Sequence, residues 1–238
     1  MKLLSFIAAF LLLCASCAKK KIPENDSLLG LGYFPTTQGK YVIYDVDSTV
    51  YTEIPSKDTF YYKYRIKEKI ADGFTDNEGK PAIRLERYIK MFNPNKSYDS
   101  IPWTIKEVWM LNADKRSVQL SERDIRYTKL IFPIQEKVMW KGNVRNNLGD
   151  WDYEYTYIDK SEKINNVQLD KVLLVTQFNL RTFIDLHTYT EKYAKDIGLV
   201  YRAITTLSST SVVSNVPVEN RIELGLIYEQ KIVSYGYE

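Results

Sequence analysis

The sequence predicts an all-β protein: a large antiparallel meander of about eight to ten strands, curled into a half-barrel or a barrel-like sheet. Three observations support this prediction. Apolar and polar residues alternate with a period of two through most of residues 33–238, as in strands that bury one face. Clusters of Gly, Pro, Asn and Asp separate the alternating runs, as turns do. No stretch of the mature chain keeps a 3.6-residue period, so we expect only short helical turns in connections, such as residues 121–126.

The strands are predicted from these runs. Over residues 60–70, aromatic and aliphatic side chains alternate with lysines and an arginine, and a turn cluster and a second alternating run complete a hairpin by residue 91. A second hairpin is predicted over 103–120. Further strands are predicted near 153–157, 172–178, 188–193, 199–207 and 222–235. A sheet this wide must curl or close, because exposed strand edges pair with other chains.

The two parts of the chain also show internal sequence similarity. Phe-Pro pairs at 34–35 and 132–133 each precede a run of aromatic strands, and residues 104–109 resemble residues 188–193, which places Glu191 in the position of Glu107. We therefore predict one β domain over 33–238 with two echoing halves, 33–131 and 132–238. A chance echo within a tyrosine-rich meander is the alternative, and the sequence leaves both readings open.

Residues 1–16 have the features of a bacterial lipoprotein signal peptide. Lys2 precedes an apolar run of about 11 residues, which is too short for the roughly 20-residue span of a membrane helix. The run ends at Cys14-Ala15-Ser16-Cys17, which resembles a lipobox. This resemblance implies cleavage after Ser16 and diacylation of Cys17. An ordinary secretory signal is the alternative, and both readings predict an exported chain.

Residues 17–32 are predicted to form a lipid-anchored linker. After cleavage, Cys17 is the only cysteine, so we expect no internal disulfide and no cysteine metal cluster. The lysines at 19–21 would each add about 1 kcal/mol of attraction to anionic headgroups, although they also fit the solvated start of a linker. The predicted partner is the membrane, through acylated Cys17.

A longer resemblance covers most of the mature chain. Phe-Pro at 132–133, Trp-Lys-Gly-Asn at 140–143 and Tyr-Ala-x-x-Ile-Gly-Leu-Val at 193–200 are similar to segments of uncharacterised lipoproteins of Bacteroidota. The resemblance implies a β-rich envelope protein and carries no assigned activity or catalytic residue. In that phylum, surface-exposed lipoproteins tend to carry acidic residues after the acylated cysteine, whereas this chain has lysines there. A lipid anchor in the outer membrane, facing the periplasm, is therefore expected, with surface exposure as the alternative.

Residue types that build common catalytic and cofactor sites are scarce. His187 is the only histidine, so a zinc site would need carboxylates alone beside it. The sequence contains no phosphate-binding loop, dinucleotide fingerprint or Gly-x-Ser-x-Gly motif. The formal net charge is only +3, which argues against a nucleic-acid partner for an exported chain. We therefore predict no catalytic residue, no metal site and no cofactor.

Charged side chains on the apolar phase of predicted strands are the first candidate site. Glu68, Arg87 and Glu107 occupy such positions, and Glu191 occupies the echoed one. Inward charges are costly unless they are paired, so we expect Glu68 and Glu107 to flank Arg87. The four residues form either a structural ion network or a polar patch that binds a ligand or partner.

A row of tyrosines is the second candidate site. Tyr153, Tyr155 and Tyr157 share one face of a predicted strand. Such a row binds sugars, peptides or acyl chains when it is exposed, and fills the core when it is buried.

Two functions follow from these observations. The first is a non-enzymatic, lipid-anchored binding or assembly module that docks on an outer-membrane protein complex. The second is a carrier or chaperone that holds a hydrophobic ligand in a β half-barrel, for which a cavity on the inward face would be the sign. An enzyme that works with carboxylates alone is the third and weakest reading.

Overall fold

The computed structural model describes residues 26–53 and 57–238. The signal peptide, Cys17 and the lysines at 19–21 lie outside the described residues. Twelve antiparallel strands form one sheet. This confirms the predicted all-β fold with a barrel-like meander, although the number of strands exceeds the predicted eight to ten. No helix in this part of the chain is long and apolar enough to cross a membrane.

The strands and the short helical elements follow one another along the chain. The strands are β1 (Lys40–Thr52), β2 (Asp58–Thr75), β3 (Pro81–Met91), β4 (Thr104–Ala113), β5 (Ser117–Glu122), β6 (Ile125–Ile131), β7 (Met139–Lys141), β8 (Asp152–Ile164), β9 (Val167–Arg181), β10 (Asp185–Ala194), β11 (Gly198–Ser208) and β12 (Leu224–Tyr237). The helical elements are α1 (Asp26–Leu29) and 3-10 turns at Leu31–Tyr33, Tyr98–Ser100 and Val218–Asn220.

The short helix expected at 121–126 was a wrong prediction. β5 and β6 are joined there by a two-residue hairpin turn, in which Arg123 and Asp124 have φ angles of 49° and 68°. Positive φ at both central residues gives the turn whose twist matches that of the flanking strands.

The order of the strands in space divides the sheet into two meanders. The order is β6-β5-β4-β3-β2-β1-β12-β11-β10-β9-β8-β7, so β1–β6 form one six-stranded meander and β7–β12 form the other. The pairing of β1 with β12 joins them. The predicted halves meet between residues 131 and 132, which falls in the connection from β6 to β7. An origin by duplication stays a prediction.

The two outer strands of the sheet, β6 and β7, approach each other and nearly close it. The Thr128 amide donates to the Gly142 carbonyl at 2.8 Å, and the Trp140 indole N–H donates to the Thr128 carbonyl at 2.8 Å. Gly142 is needed at this contact because a Cβ atom there would lie 2.2 Å from the Tyr153 ring.

One end of the sheet is capped by the segment that precedes β1. Leu29 and Tyr33 are buried, and the Tyr33 hydroxyl donates to Asp159 at 2.7 Å. The Ile134 amide donates to the Leu29 carbonyl at 3.0 Å. Residues 29–32, assigned to the linker from the sequence, are therefore packed on the sheet, and the folded part starts earlier than the expected boundary at residue 33. We call this the capped end and the opposite one the open end.

The close contact at Gly142 gives a stability prediction. Gly142→Ala should displace the Tyr153 ring and lower the free energy of unfolding by about 1–3 kcal/mol, as overpacked substitutions do. The matched control is Gly73→Ala, because a Cβ atom at Gly73 meets only the Ala82 carbonyl at 3.5 Å. Urea unfolding of the two variants should rank G142A well below G73A, and equal stabilities would contradict the tight closure.

Candidate functional site

Arg87 lies between two glutamates, as the alternation predicts. Its Nε on β3 donates to Glu68 of β2 at 2.9 Å, and its Nη1 donates to Glu107 of β4. Glu107 also binds Lys106 and Arg123 at 2.8 and 3.0 Å. Arg87 and Glu68 are buried. We call Glu68, Arg87 and Glu107 the Arg87 triad.

Four more charged side chains form a closed ring in the interior: Glu122 of β5, Lys129 of β6, Glu191 of β10 and Arg202 of β11. Each glutamate binds both cations, and the shortest N–O distance of each pair lies between 2.8 and 3.1 Å. We call these residues the charge ring. It connects β5 and β6 of one meander to β10 and β11 of the other, and its formal charges cancel.

An aromatic ring stands between the Arg87 triad and the charge ring. The Trp109 ring centre lies 3.8 Å from the guanidinium carbon of Arg87 and 5.6 Å from that of Arg202. Cations over an indole face are attracted by its quadrupole. Trp109 therefore links the two charged groups into one buried network.

The cations hold the carboxylates of this network in their ionised form. Burial alone would raise the pKa of Glu122, but the charges of Arg202 and Lys129 outweigh it and lower the pKa to about 2. The same two cations lower the pKa of Glu191 against its burial. At Glu107, the cations around it likewise outweigh burial and lower the pKa to about 2. All three carboxylates are thus anionic at neutral pH.

A cavity of about 240 Å³ lies between the charge ring and the loop 142–151, toward the open end. The charge ring forms one wall, and the remaining lining is Tyr127, Leu148, Trp151, Tyr153, Gln177, Tyr189 and Ile204. Trp151 stacks on Phe178 with ring centres 4.6 Å apart and lies 4.7 Å from Tyr189. We call this space the ring cavity. A second cavity of about 40 Å³ lies toward the capped end, and Arg202 lines both.

The three tyrosines predicted as a binding row have separate roles. Tyr155 is fully buried, and its hydroxyl donates to the Ile131 carbonyl at 2.6 Å. The Tyr157 hydroxyl donates to Glu162. Only Tyr153 lines the ring cavity. Of the predicted charged residues, Glu191 also lines this cavity, whereas Arg87 and Glu107 belong to the neighbouring triad.

Two further cavity residues, which the sequence analysis did not single out, lie at β-bulges. In β6, Val118 faces Leu130 and Gln119 faces Thr128, which leaves Lys129 as the extra residue. In β9, Gln177 is the extra residue, because Tyr189 faces Phe178 and Thr190 faces Thr176. A bulge breaks the period of two for the residues that follow it. Lys129 and Gln177 themselves lie two residues after Tyr127 and Val175, and so keep the inward phase of those residues.

Arg202 and Glu122 could also have been found from the alternation. Arg202 stands between Val200 and Ile204 in the inward phase of β11, and Glu122 follows Val118 and Leu120 in the inward phase of β5. Both are charged residues on the apolar phase of a strand, which is the criterion that identified Arg87. No group of three or more His, Cys, Asp or Glu side chains within residues 26–53 and 57–238 could hold a metal ion.

Known proteins give no guide to the function of this chain, so the proposed function is argued from the geometry of the cavity and its lining. No protein-family model matches the chain, and neither a curated protein nor a solved structure matches it.

The charge ring gives a second stability prediction. Arg202→Met should leave Glu122 and Glu191 buried with only Lys129 between them, and should lower the free energy of unfolding by about 3–5 kcal/mol. The control is Arg181→Met, which removes an exposed pair with Glu219 and should cost less than about 1 kcal/mol. Urea unfolding followed by tryptophan fluorescence measures both. A loss for R202M no larger than that for R181M would contradict a stabilising ring.

The lowered carboxylate pKa values give a pH prediction. Glu107 and Glu122 have folded-state pKa values of about 2, against an ordinary value of 4.5. Their contribution to stability is therefore complete above about pH 4.5 and is lost as the pH falls toward 2. Unfolding free energies measured from pH 6 to pH 2 should decline over this window, and Glu122→Gln should flatten the decline. A constant stability from pH 5 to pH 2.5 would contradict the pairing.

Proposed function

We propose that this protein is a lipid-anchored, non-enzymatic envelope protein that binds a small molecule in the ring cavity. The observation that supports this proposal is a cavity on the inward face, lined by residues that have buried polar groups without partners. The Gln177 amide nitrogen and the Arg202 Nε are buried and have no hydrogen-bond partner among the described residues, and both residues line the cavity. Such groups are costly unless something satisfies them.

The lining favours a ligand with both polar and apolar faces over the purely hydrophobic one considered from the sequence. Eight of the eleven lining residues are charged, phenolic or amide, but apolar atoms make up most of the surface that they expose to the cavity. The volume lies just below the range of roughly 300–1,000 Å³ of typical ligand pockets. A compact ligand with several polar atoms fits this space better than a long acyl chain.

The predicted anchor supports access to the cavity. Cys17 lies nine residues before Asp26, and the chain from α1 onward packs on the capped end. Nine extended residues reach at most about 30 Å. Acylation at Cys17 would therefore hold the capped end near the membrane and leave the open end directed away from it.

An assembly module is the second candidate, and one surface favours it. The Phe183 side chain is 82% exposed, and Val212 and Val213 beside it are 62% and 48% exposed. Exposed apolar groups that lie together are typical of protein–protein contacts. This surface lies outside the sheet, so it does not compete with the ring cavity.

Native mass spectrometry of the full-length protein, extracted gently from its own membranes, tests the proposal. We expect a mass that includes acyl groups, absent from a Cys17→Ser variant, and a discrete small-molecule adduct. Leu148→Arg should remove the adduct by blocking the cavity. Val144→Arg is the matched control, because Val144 lies in the same loop and does not line the cavity.

Other outcomes would overturn the proposal. A stoichiometric protein partner on a chain without an adduct would favour the assembly module. An adduct retained by the Leu148→Arg variant would place the ligand elsewhere.

A further inference from the structure

The polar groups of the ring cavity that lack partners are mainly hydrogen-bond donors. Gln177 and Arg202 are 5% and 6% exposed, and each has a buried N–H group without a partner. The hydroxyls of Tyr127, Tyr153 and Tyr189, which also line the cavity, make no hydrogen bond with the described part of the chain. Five residues from five strands, each with a polar group that lacks a partner, thus line one space. Oxygen acceptors would satisfy these groups.

The charged side chains of the cavity wall are already paired with one another, so they do not favour a charged ligand. Within the charge ring, every carboxylate already binds two cations and every cation binds two carboxylates. An anionic ligand would compete with Glu122 and Glu191 for their partners, and a cationic one would compete with Lys129. A neutral ligand leaves the ring intact.

The cavity lining also includes an aromatic ring, that of Trp151. Trp151 is fixed by stacking on Phe178 with 14° between the ring planes, and it contacts Tyr189. Rigid aromatic rings bind flat apolar faces at little entropic cost. Neutral sugars combine such a face, formed by ring C–H groups, with hydroxyls that both accept and donate hydrogen bonds.

We propose that the ring cavity binds a neutral sugar of one or two residues, with its C–H face on Trp151 and its hydroxyls on Gln177, Arg202 and the three tyrosine hydroxyls. This inference rests on the proposed function, because it names the ligand of the same cavity. The sugar is either free or the end of a longer glycan, and both present the same ring chemistry.

Isothermal titration calorimetry with neutral sugars tests the inference. The full-length protein in a polyoxyethylene detergent, which carries no sugar headgroup, is titrated with glucose, galactose, mannose, N-acetylglucosamine and a disaccharide of each. At least one should bind with a Kd of about 1 mM or tighter, whereas glucuronate and decanoate should not. Tighter binding of the monosaccharide indicates a free sugar, and tighter binding of the disaccharide indicates a glycan end.

Variants locate the binding. Gln177→Leu removes the unpartnered donor with little change in volume and should weaken binding at least tenfold. Tyr189→Phe removes one hydroxyl alone and should weaken it several-fold, which keeps the test valid if the leucine variant does not fold. Phe183→Ala, an exposed aromatic residue outside the cavity, should bind as the wild type does.

Failure of the sugar inference can be distinguished from failure of the proposed function. If no sugar of the panel binds, while the natural adduct is present and is lost in the Leu148→Arg variant, the sugar inference is overturned and the proposed function stands. If neither a sugar nor a natural adduct binds in the cavity, both are overturned.

Discussion

The charge ring is the interaction on which the interior of this protein depends. It connects strands of the two meanders across the inside of the sheet, where no backbone ladder joins them. Burying four charges carries a large desolvation cost, which good pairing geometry offsets. Because each of the four binds two opposite charges, removal of any one leaves two partners incompletely paired. A sheet held together in this way cannot fill its centre with apolar side chains.

The polar centre explains the two cavities of the interior. Toward the capped end, aromatic and aliphatic side chains pack down to the charge ring and leave about 40 Å³. Toward the open end, the walls stay apart and leave about 240 Å³. The capped end thus supplies much of the hydrophobic core, and the open end supplies a space lined by a neutralised ionic wall and aromatic rings. That combination supports the proposal of ligand binding.

The features that follow strand periodicity could be predicted from the sequence, and those that break it could not. The alternation over residues 60–70 located the inward position of Glu68. The alternation in the next two predicted strands located Arg87 and Glu107. The same rule, applied to Arg202 and Glu122, would have added these two to the predicted Glu191 and so covered three of the four residues of the charge ring. Lys129 and Gln177 keep the inward phase of Tyr127 and Val175. The bulges beside them shift the phase of the residues that follow, and a bulge depends on backbone pairing that side-chain patterns do not record. Residue types alone did not show that Tyr153, which is buried in the same core as Tyr155, also borders a cavity.

The most direct test of this account is a double-mutant cycle between Lys129 and Glu191, which lie on strands β6 and β10 of different meanders. Lys129→Met, Glu191→Gln and the double variant are compared with the wild type by urea unfolding. If the charge ring joins the two meanders, the coupling free energy should be favourable by about 2 kcal/mol or more, within the range of contacting residues. A coupling free energy near zero would contradict this role, because apolar packing, the β1–β12 ladder and the hydrogen bonds between β6 and the segment of β7 would then hold the meanders together without the ring.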